Sequence, residues 1–183
     1  MDIVKLIHRA LSDEDIRRIL GGKCKILKYG ALSRFGELDD LLPDLLDYAI
    51  VLYEEKENSG HWVGLLEYNH LFEFFDPYGL IPDKELSWVG LKTRRTLNEA
   101  TPYLSYLSIL LKKEHHVYSH VKYQDLDNYV NTCGSHVCHR IYRLLHDNMD
   151  LEECHKYMKE TREEEGSNFD VIVATFAKSK LKE

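Results

Sequence analysis

Three apolar segments joined by short turns constrain the fold of this 183-residue chain more than any other feature. The segments Tyr48–Tyr53, Trp62–Tyr68 and Leu71–Phe75 are rich in β-branched and aromatic residues, which favours buried strands. The charged turn at residues 54–60 and the tight connection at residues 68–70 are too short to hold a crossover helix. Consecutive strands joined in this way run antiparallel, so the sequence predicts a three-stranded meander.

Helical patterns occur before and after this meander. Ser12 is a suitable N-cap for a helix over Asp13–Leu20, which Gly21-Gly22 would end. The other predicted elements are helices at Leu38–Leu46, Asp83–Leu91, Pro102–Lys112, from Cys133 onward and at Leu151–Thr161, a strand at Val117–Tyr123, and an apolar segment at Asn168–Ala177. The predicted class is therefore α+β, with a central, mostly antiparallel sheet flanked by helices in a single domain over residues 1–183.

Composition, charge and the lengths of the apolar runs argue against several classes of function. No apolar run approaches the roughly 20 residues that span a bilayer, and the N-terminus lacks the pattern of a signal peptide. We therefore expect an intracellular protein that is not secreted, with its four cysteines as reduced thiols. A formal net charge of −7 argues against a broad nucleic-acid surface, and the basic stretch at residues 92–95 is better explained as a solvated face than as a docking site.

Cys133 lies in the sequence Thr132-Cys133-Gly134, where a long helical pattern begins. A thiol is a weak nucleophile until it ionises, and a helix N-terminus together with a nearby histidine lowers the pKa of a cysteine from its usual value near 8.5. Gly134 leaves room for a substrate carbonyl, and the Cys133 N–H could donate to an oxyanion. The alternative is a small, inert cysteine buried at a helix start, which is the interpretation that suits Cys138.

His61 follows a glycine turn and begins a predicted strand, in the sequence Ser59-Gly60-His61-Trp62-Val63. Asp76 directly follows the next strand, so the pairing of the two strands would place it beside His61. A carboxylate in that position fixes the imidazole tautomer and stabilises the imidazolium. Trp62 would point to the other side of the strand or clamp a substrate groove, and Asp76-Pro77-Tyr78-Gly79 is also the composition of an ordinary turn.

Gln124 is a candidate for the oxyanion donor, because its side-chain amide could complete an oxyanion hole next to the thiol. Asn128 and Asn131 are chemically equivalent candidates that are closer to Cys133 in the sequence. A polar loop residue without a catalytic role is an equally good interpretation of any one of the three.

A metal site is the competing interpretation of the cysteine region. Histidines and cysteines there could be assembled into a zinc set on paper, but their spacing does not match a structural zinc motif. The residues concerned are Cys133, His136, Cys138, His139 and Cys154. We therefore expect no metal ligands and no cofactor.

The order of histidine, aspartate, glutamine and Cys-Gly resembles the adenain-like cysteine proteases, which include the adenovirus maturation protease and, more distantly, the SUMO-deconjugating proteases. The likeness is closer to the versions found in large DNA viruses of eukaryotes, virophages and Polinton-type elements. It extends from about Glu14 to Asp150 and depends on these segments: Leu38–Leu46, Leu52–Glu54, Gly60–Val63, Phe75–Gly79 with Pro82-Asp83, and Gln124 leading to Thr132–Gly134. The gap from Gln124 to Cys133 is longer than in the adenoviral and SUMO-directed enzymes.

The resemblance implies a papain-like fold in which Cys133 is the nucleophile, His61 the general base, Asp76 the orienting acid and Gln124 the oxyanion donor. It also implies a thiol endopeptidase that cleaves capsid or other virion precursors after small, glycine-rich sequences, in a narrow groove capped by Trp62. Its expected location is the host cytoplasm or viral factory, with packaging in the virion, as a monomer. An activating peptide is a candidate partner, and the acidic balance disfavours activation by DNA.

Two alternatives remain open at this point. The same residues could serve an isopeptidase that removes a ubiquitin-like modifier. The chain could also be a non-catalytic binding protein of the same fold, in which Cys133 is a core residue.

Overall fold

The structure, a computed structural model, describes residues 2–22, 24–105, 116–127 and 129–182. The chain divides into two compact units. One, the helical unit, comprises Met1–Cys24, Pro77–Gly79 and Val121–Glu183, and the other, the sheet unit, comprises Lys25–Asp76 and Leu80–His120. Sheet and helices are thus segregated along the chain, and the predicted α+β class is confirmed. That the two units act as one catalytic domain stays a prediction.

The sheet unit contains a five-stranded sheet in the order β1-β2-β3-β4-β5. The strands are β1 (Lys25–Lys28), β2 (Leu46–Lys56), β3 (Ser59–Tyr68), β4 (Leu71–Phe75) and β5 (His116–Tyr118). The three central strands are antiparallel, as the meander predicted, whereas β1 and β5 pair in parallel with their neighbours. The sheet is therefore mixed, and its parallel edges are the part that the hydrophobic pattern did not reveal.

The turns of the meander have the backbone that tight hairpins need. Asn69 and His70, which connect β3 to β4, both have positive φ angles, of 51° and 61°. Two successive left-handed residues are typical of a two-residue hairpin turn whose twist matches that of the flanking strands. Asn58, before β3, has a φ of 58°. These turns fix how the central strands align.

One face of the sheet packs into the core of this unit. The core residues that come from the central strands alternate along them, and the cluster is completed by residues from short helices and connections. These short elements are a 3₁₀ helix at Tyr29–Arg34, α3 (Leu38–Leu41), a 3₁₀ helix at Lys84–Trp88 and α4 (Leu91–Thr96). The core side chains are Tyr29, Leu32, Leu38, Leu41, Leu42, Ala49, Val51, Tyr53, Val63, Leu65, Phe72, Phe74, Leu86 and Leu104.

Several predicted boundaries differ from the structure. The short helix predicted over Leu38–Leu46, with a break near Pro43, ends at Leu41 before that proline, and β2 begins at Leu46. In place of one helix over Asp83–Leu91, a 3₁₀ helix at Lys84–Trp88 precedes α4. The predicted strand at Val117–Tyr123 is reduced to His116–Tyr118. Of the helix predicted at Pro102–Lys112, residues 103–105 are helical and residues 106–112 lie outside the described residues.

The helical unit contains five helices among its described residues: α1 (Ile3–Ile7), α2 (Asp13–Leu20), α5 (Cys133–Asp147), α6 (Leu151–Glu165) and α7 (Phe169–Lys180). The predicted start of α2 is confirmed, because the Ser12 side chain accepts a hydrogen bond from the Asp15 N–H. Gly21, with a φ of 84°, ends the helix. Helix α7 contacts the other four helices and forms the centre of this unit. No helix within the described ranges is long and apolar enough to cross a membrane.

Candidate functional site

The position of His61 in β3 depends on the glycine before it. A Cβ atom on Gly60 would lie 1.8 Å from the carbonyl oxygen of Tyr53, so only glycine permits the close approach of β3 to β2 here. An irregularity between Glu54 and Lys56 shifts the register at the same point. His61 then lies directly opposite Tyr53, within the strand and on the core face of the sheet.

Asp76 is the partner of His61. Its Oδ1 lies 2.8 Å from His61 Nε2, and the two side chains are almost completely buried. Its Oδ2 accepts a hydrogen bond from the Leu80 N–H at 3.3 Å. Because β3 and β4 form one hairpin, a residue near the start of β3 meets one that follows β4. The structure therefore brings together two of the predicted site residues.

The direction of this hydrogen bond determines what the imidazole can do. Asp76 is a carboxylate and accepts, so the Nε2–H of His61 donates. In the neutral ring, the lone pair that can take up a proton is then on Nδ1. A histidine oriented in this way can act as a general base through Nδ1, while the carboxylate stabilises the imidazolium that forms.

Glu85 is a third member of this cluster, and the sequence did not identify it. Its Oε1 lies 4.0 Å from His61 Nε2, and its side chain is 2% exposed. Burial, followed by the hydrogen bond and negative charge of Asp76, raises the pKa of Glu85 to about 9. No local pattern signals this position, because a glutamate in a predicted helix at residues 83–91 is expected to face solvent.

A network around Asp83 holds Glu85 in place. Asp83 has a φ of 66° and precedes the 3₁₀ helix that contains Glu85. Its N–H donates to the Tyr53 hydroxyl at 3.0 Å, and its carboxylate accepts from the Ser105 N–H and from the Tyr53 hydroxyl. Since Tyr53 is also the cross-strand partner of His61, one tyrosine connects the start of the 3₁₀ helix to the position of the histidine.

The cluster of His61, Asp76 and Glu85 is the one group of three metal-ligating side chains found among the residues that the structure describes, with ligand atoms within 4.8 Å of one another. Two ligands of a tetrahedral zinc ion lie roughly 3.3 Å apart, given metal–ligand bonds near 2.0 Å. The spacings of 2.8 and 4.0 Å fit a hydrogen-bonded pair with a neighbour better than three ligands around one ion.

The zinc set considered for the cysteine region does not assemble within the described ranges. His136 donates from Nε2 to Asp170 Oδ1 at 3.0 Å instead. The His139 ring stacks on Tyr157 and accepts a hydrogen bond from Arg143 Nε. Burial and the nearby positive charge of Arg143 lower the pKa of His139 to about 3, so this ring is neutral.

Cys133 is the first residue of α5, as the helical pattern predicted, and it is 8% exposed. The preceding Thr132 does not cap the helix, because its hydroxyl donates to Asp170 instead. The first N–H groups of α5 therefore have no side-chain cap and could stabilise negative charge near the sulfur. Gly134 is buried in the same turn. All four cysteines are free thiols, and burial raises the pKa of Cys24 and of Cys138.

Gln124 is buried in the helical unit, where its backbone N–H donates to the Pro77 carbonyl at 3.0 Å. Its Nε2 donates to the Val130 carbonyl at 3.0 Å and contacts the Tyr78 hydroxyl at 3.3 Å. An oxyanion would have to replace one of these two acceptors. The alternative Asn131 is exposed and donates to the His8 carbonyl, while Asn128 lies outside the described residues.

Trp62 is 7% exposed and, by strand alternation, faces away from the side of the sheet that His61 occupies. This agrees with the first of the two orientations expected for it. A role for Trp62 in capping a substrate groove stays a prediction, as does the meeting of His61 with Cys133.

The fold and the buried pair define an α+β protein with an oriented histidine–carboxylate site. No protein-family model matches the chain. It is 36% identical over 151 residues to uncharacterized protein V9 of Sputnik virophage, in a match that covers 81% of this chain and 83% of that protein. The chain therefore belongs to the same protein family as V9. A relationship to a virophage protein is thus established.

Proposed function

We propose that this protein is a thiol endopeptidase of the adenain-like kind, with Cys133 as nucleophile and His61 as general base. The observation that carries the proposal is the buried hydrogen bond of 2.8 Å between His61 and Asp76, which orients the ring so that its basic nitrogen is Nδ1. The position of Cys133 as the first residue of a 15-residue helix without a side-chain cap supports it, because N–H groups at a helix start can stabilise negative charge.

The reaction follows the usual course of acyl transfer by a cysteine. The Cys133 sulfur attacks the scissile carbonyl carbon, and its proton passes through Nδ1 of His61 to the leaving amine. Water then attacks the thioester, with His61 again taking the proton, and the free thiol is restored. The Cys133 N–H and the Gln124 amide would stabilise the oxyanion in both steps. No metal or organic cofactor takes part in this chemistry.

The family relationship supports a viral setting for the substrate. We infer that the substrates are capsid or other virion precursors, cut after small residues in the host cytoplasm or the viral factory. A monomer with an activating peptide is the assembly that the adenain-like resemblance favours. The isopeptidase alternative uses the same catalytic residues, so it is separated by substrate alone.

Alkylation tests the nucleophile without any knowledge of the substrate. At about pH 6, iodoacetamide should modify Cys133 at least tenfold faster than Cys24 or Cys154, because only a thiolate reacts rapidly. His61→Ala should remove that difference, and mass spectrometry of tryptic peptides measures both rates. Equal rates at the three cysteines would favour a non-catalytic binding protein in which Cys133 is a core residue.

Turnover tests the reaction itself. Cys133→Ala should abolish cleavage of virion precursor proteins, a loss of roughly 10⁶-fold, while the circular dichroism spectrum stays unchanged. Cys138→Ala is the matched control, since it removes a thiol from the same helix. Cleavage retained in Cys133→Ala would contradict the assignment. Activity on ubiquitin-like conjugates without activity on precursors would favour the isopeptidase.

A further inference from the structure

We propose that Glu85 is a positioning residue that shares one proton with Asp76 and so holds the Asp76 carboxylate against Nε2 of His61. This inference deepens the proposed function and rests on it for its consequences in catalysis. It starts from the hydrogen-bonding capacity of the three buried side chains.

The two carboxylate oxygens of Glu85 are buried without a hydrogen-bond donor in the part of the chain that the structure describes. Among the described residues, no N–H or O–H group donates to either Oε1 or Oε2, although both atoms are buried. Leaving two buried carboxylate oxygens without a partner costs several kcal/mol. A carboxylate oxygen of Asp76 lies within 4.8 Å of one of Glu85, so Asp76 is the relevant neighbour.

A hydrogen bond between two carboxyl groups requires a proton on one of them, since two carboxylates can only accept. Asp76 already accepts from the His61 ring and from the Leu80 N–H, which favours its ionised form. Glu85 has no such donors, so the proton belongs on Glu85, which donates to Asp76. This arrangement explains why no described group donates to Glu85 and why two acidic side chains lie close together.

Apart from the His61 ring, the described residues that line the crevice beside Glu85 bring no positive charge. A crevice of about 10 Å³ beside it has room for about one water molecule. The titratable groups that line this crevice are Tyr53, Glu54, Glu55, His61 and Glu99, and none of the lining residues is a lysine or arginine. A water could donate to Glu85, but it would not remove the repulsion between Glu85 and Asp76 if both were ionised.

The shared proton has a consequence for the histidine. An ionised Glu85, 4.0 Å from Nε2, would compete with Asp76 for the imidazolium and for the Nε2–H. A neutral Glu85 that donates to Asp76 instead fixes the carboxylate in place. The arrangement thus keeps one negative charge, rather than two, next to the ring, and that charge lies on the Asp76 side.

Carbon-13 NMR of the full-length protein tests the proton directly, with no need for turnover. One glutamate side-chain carboxyl carbon should keep the chemical shift of the fully protonated acid at pH 7, whereas Glu99, whose pKa burial raises to about 7, should be only partly protonated there. The fully protonated signal should be lost in Glu85→Gln and kept in Glu73→Gln, a buried glutamate on β4 that accepts from the Tyr68 hydroxyl. The absence of a fully protonated glutamate carboxyl at pH 7 would overturn the proposal, and this result comes from the unsubstituted protein alone.

The kcat and KM of Glu85 variants then test whether Glu85 acts by positioning Asp76. Glu85→Gln keeps a neutral donor and should retain kcat within about threefold, whereas Glu85→Ala should lower kcat about tenfold with KM unchanged. Equal losses in both variants would mean that the ionisable carboxyl itself is needed, which would contradict a neutral Glu85 that donates to Asp76. Absence of turnover in every form would contradict the proposed function, while the NMR result would still decide the state of Glu85.

Zinc provides the last arm of the experiment. Stoichiometric Zn²⁺ added to the unsubstituted protein should leave the His61 ring signals unchanged. If it displaces the proton, shifting both the His61 and the Glu85 signals, the three side chains form a cation site and the proposal is wrong.

Discussion

Two buried histidine–carboxylate pairs, one in each unit, have nearly the same geometry. His61 Nε2 lies 2.8 Å from Asp76 Oδ1, and His136 Nε2 lies 3.0 Å from Asp170 Oδ1. All four side chains are at most 5% exposed. A distance and a burial value alone would therefore assign both pairs the same role.

Their surroundings differ. Asp170 accepts from the Thr132 hydroxyl, the His136 ring and the Asp125 N–H. Burial acts to raise its pKa, but these three donors outweigh burial, so the pKa of Asp170 is lowered overall. The pair in the sheet unit instead has a second acid, Glu85, whose pKa is raised.

The groups around the carboxylate distinguish a structural histidine–carboxylate pair from a candidate catalytic one. A carboxylate surrounded by donors is satisfied and holds elements together, here the start of α5, the loop before it and α7. The His61–Asp76 pair has the Leu80 N–H as a further donor, but it lies beside a second buried acid, Glu85, whose pKa is raised. Two buried acids beside one histidine are expected where chemistry, rather than stability, determines the residues.

The largest expected effects come from replacing the histidine of each pair by alanine. His61→Ala should reduce turnover by at least about 10⁴-fold, because the general base is lost. His136→Ala should instead lower the free energy of unfolding by about 1–3 kcal/mol, since a bond to a buried charge is lost. Urea unfolding and initial rates of precursor cleavage, measured on both variants, check the contrast. A reversed pattern would exchange the roles of the two pairs.

Gln124 tests whether the helical unit contributes to chemistry as well as to structure. Gln124→Ala should lower kcat by about 10²–10³-fold if its amide donates to the oxyanion. A change below about threefold would mean that its bonds to Val130 and Tyr78 are its whole role, and Asn128 and Asn131 would become the candidates. Asn131→Ala, measured in parallel, tests the alternative donor in the same loop.

The smallest expected effect concerns Asp170 and acid. A carboxylate whose folded pKa is lowered contributes stability that is present above its unfolded pKa, near 3.9, and lost as pH falls through the folded value. Asp170→Asn should therefore cost about 1–3 kcal/mol at pH 7, and the gap from the unsubstituted protein should narrow below about pH 4. Urea unfolding from pH 7 to 2 measures it, and a gap independent of pH would contradict the assignment.

Glu85 should change the free energy of unfolding with the opposite pH dependence in the same urea measurement. Its folded pKa, about 9, is above the ordinary value of 4.5, so its contribution is complete below about pH 4.5 and lost as pH rises toward 9. The stability contribution of Asp170 is therefore lost as pH falls, whereas that of Glu85 is lost as pH rises.

The central fold was predictable because local patterns determine it. The meander, the start of α2 at Asp13 and the start of α5 at Cys133 follow from apolar periodicity, caps and short turns. The strand β1 was missed because Lys25–Lys28 is only four residues long, with two apolar residues between two lysines. Its pairing with β2 depends on residues far along the chain, which no local window contains.

The site was predictable to the same degree. His61 and Asp76 meet because one hairpin joins them, and hairpin pairing can be inferred from the sequence. Glu85 reaches them through the contact of Asp83 with Tyr53, a tertiary contact across the core. The His136–Asp170 pair was missed for a similar reason, since its two members come from helices α5 and α7.

The topology of the sheet also has a consequence for the order in which the protein folds. The pairings among β2, β3 and β4 close through tight turns, whereas β5 can join β4 only after the long segment between Phe75 and His116 has been brought back. Loop closure costs more entropy for the longer excursion, so the hairpins should form early and the parallel edges late. The contact between His61 and Asp76 thus belongs to the early nucleus, and Glu85 arrives with the later steps.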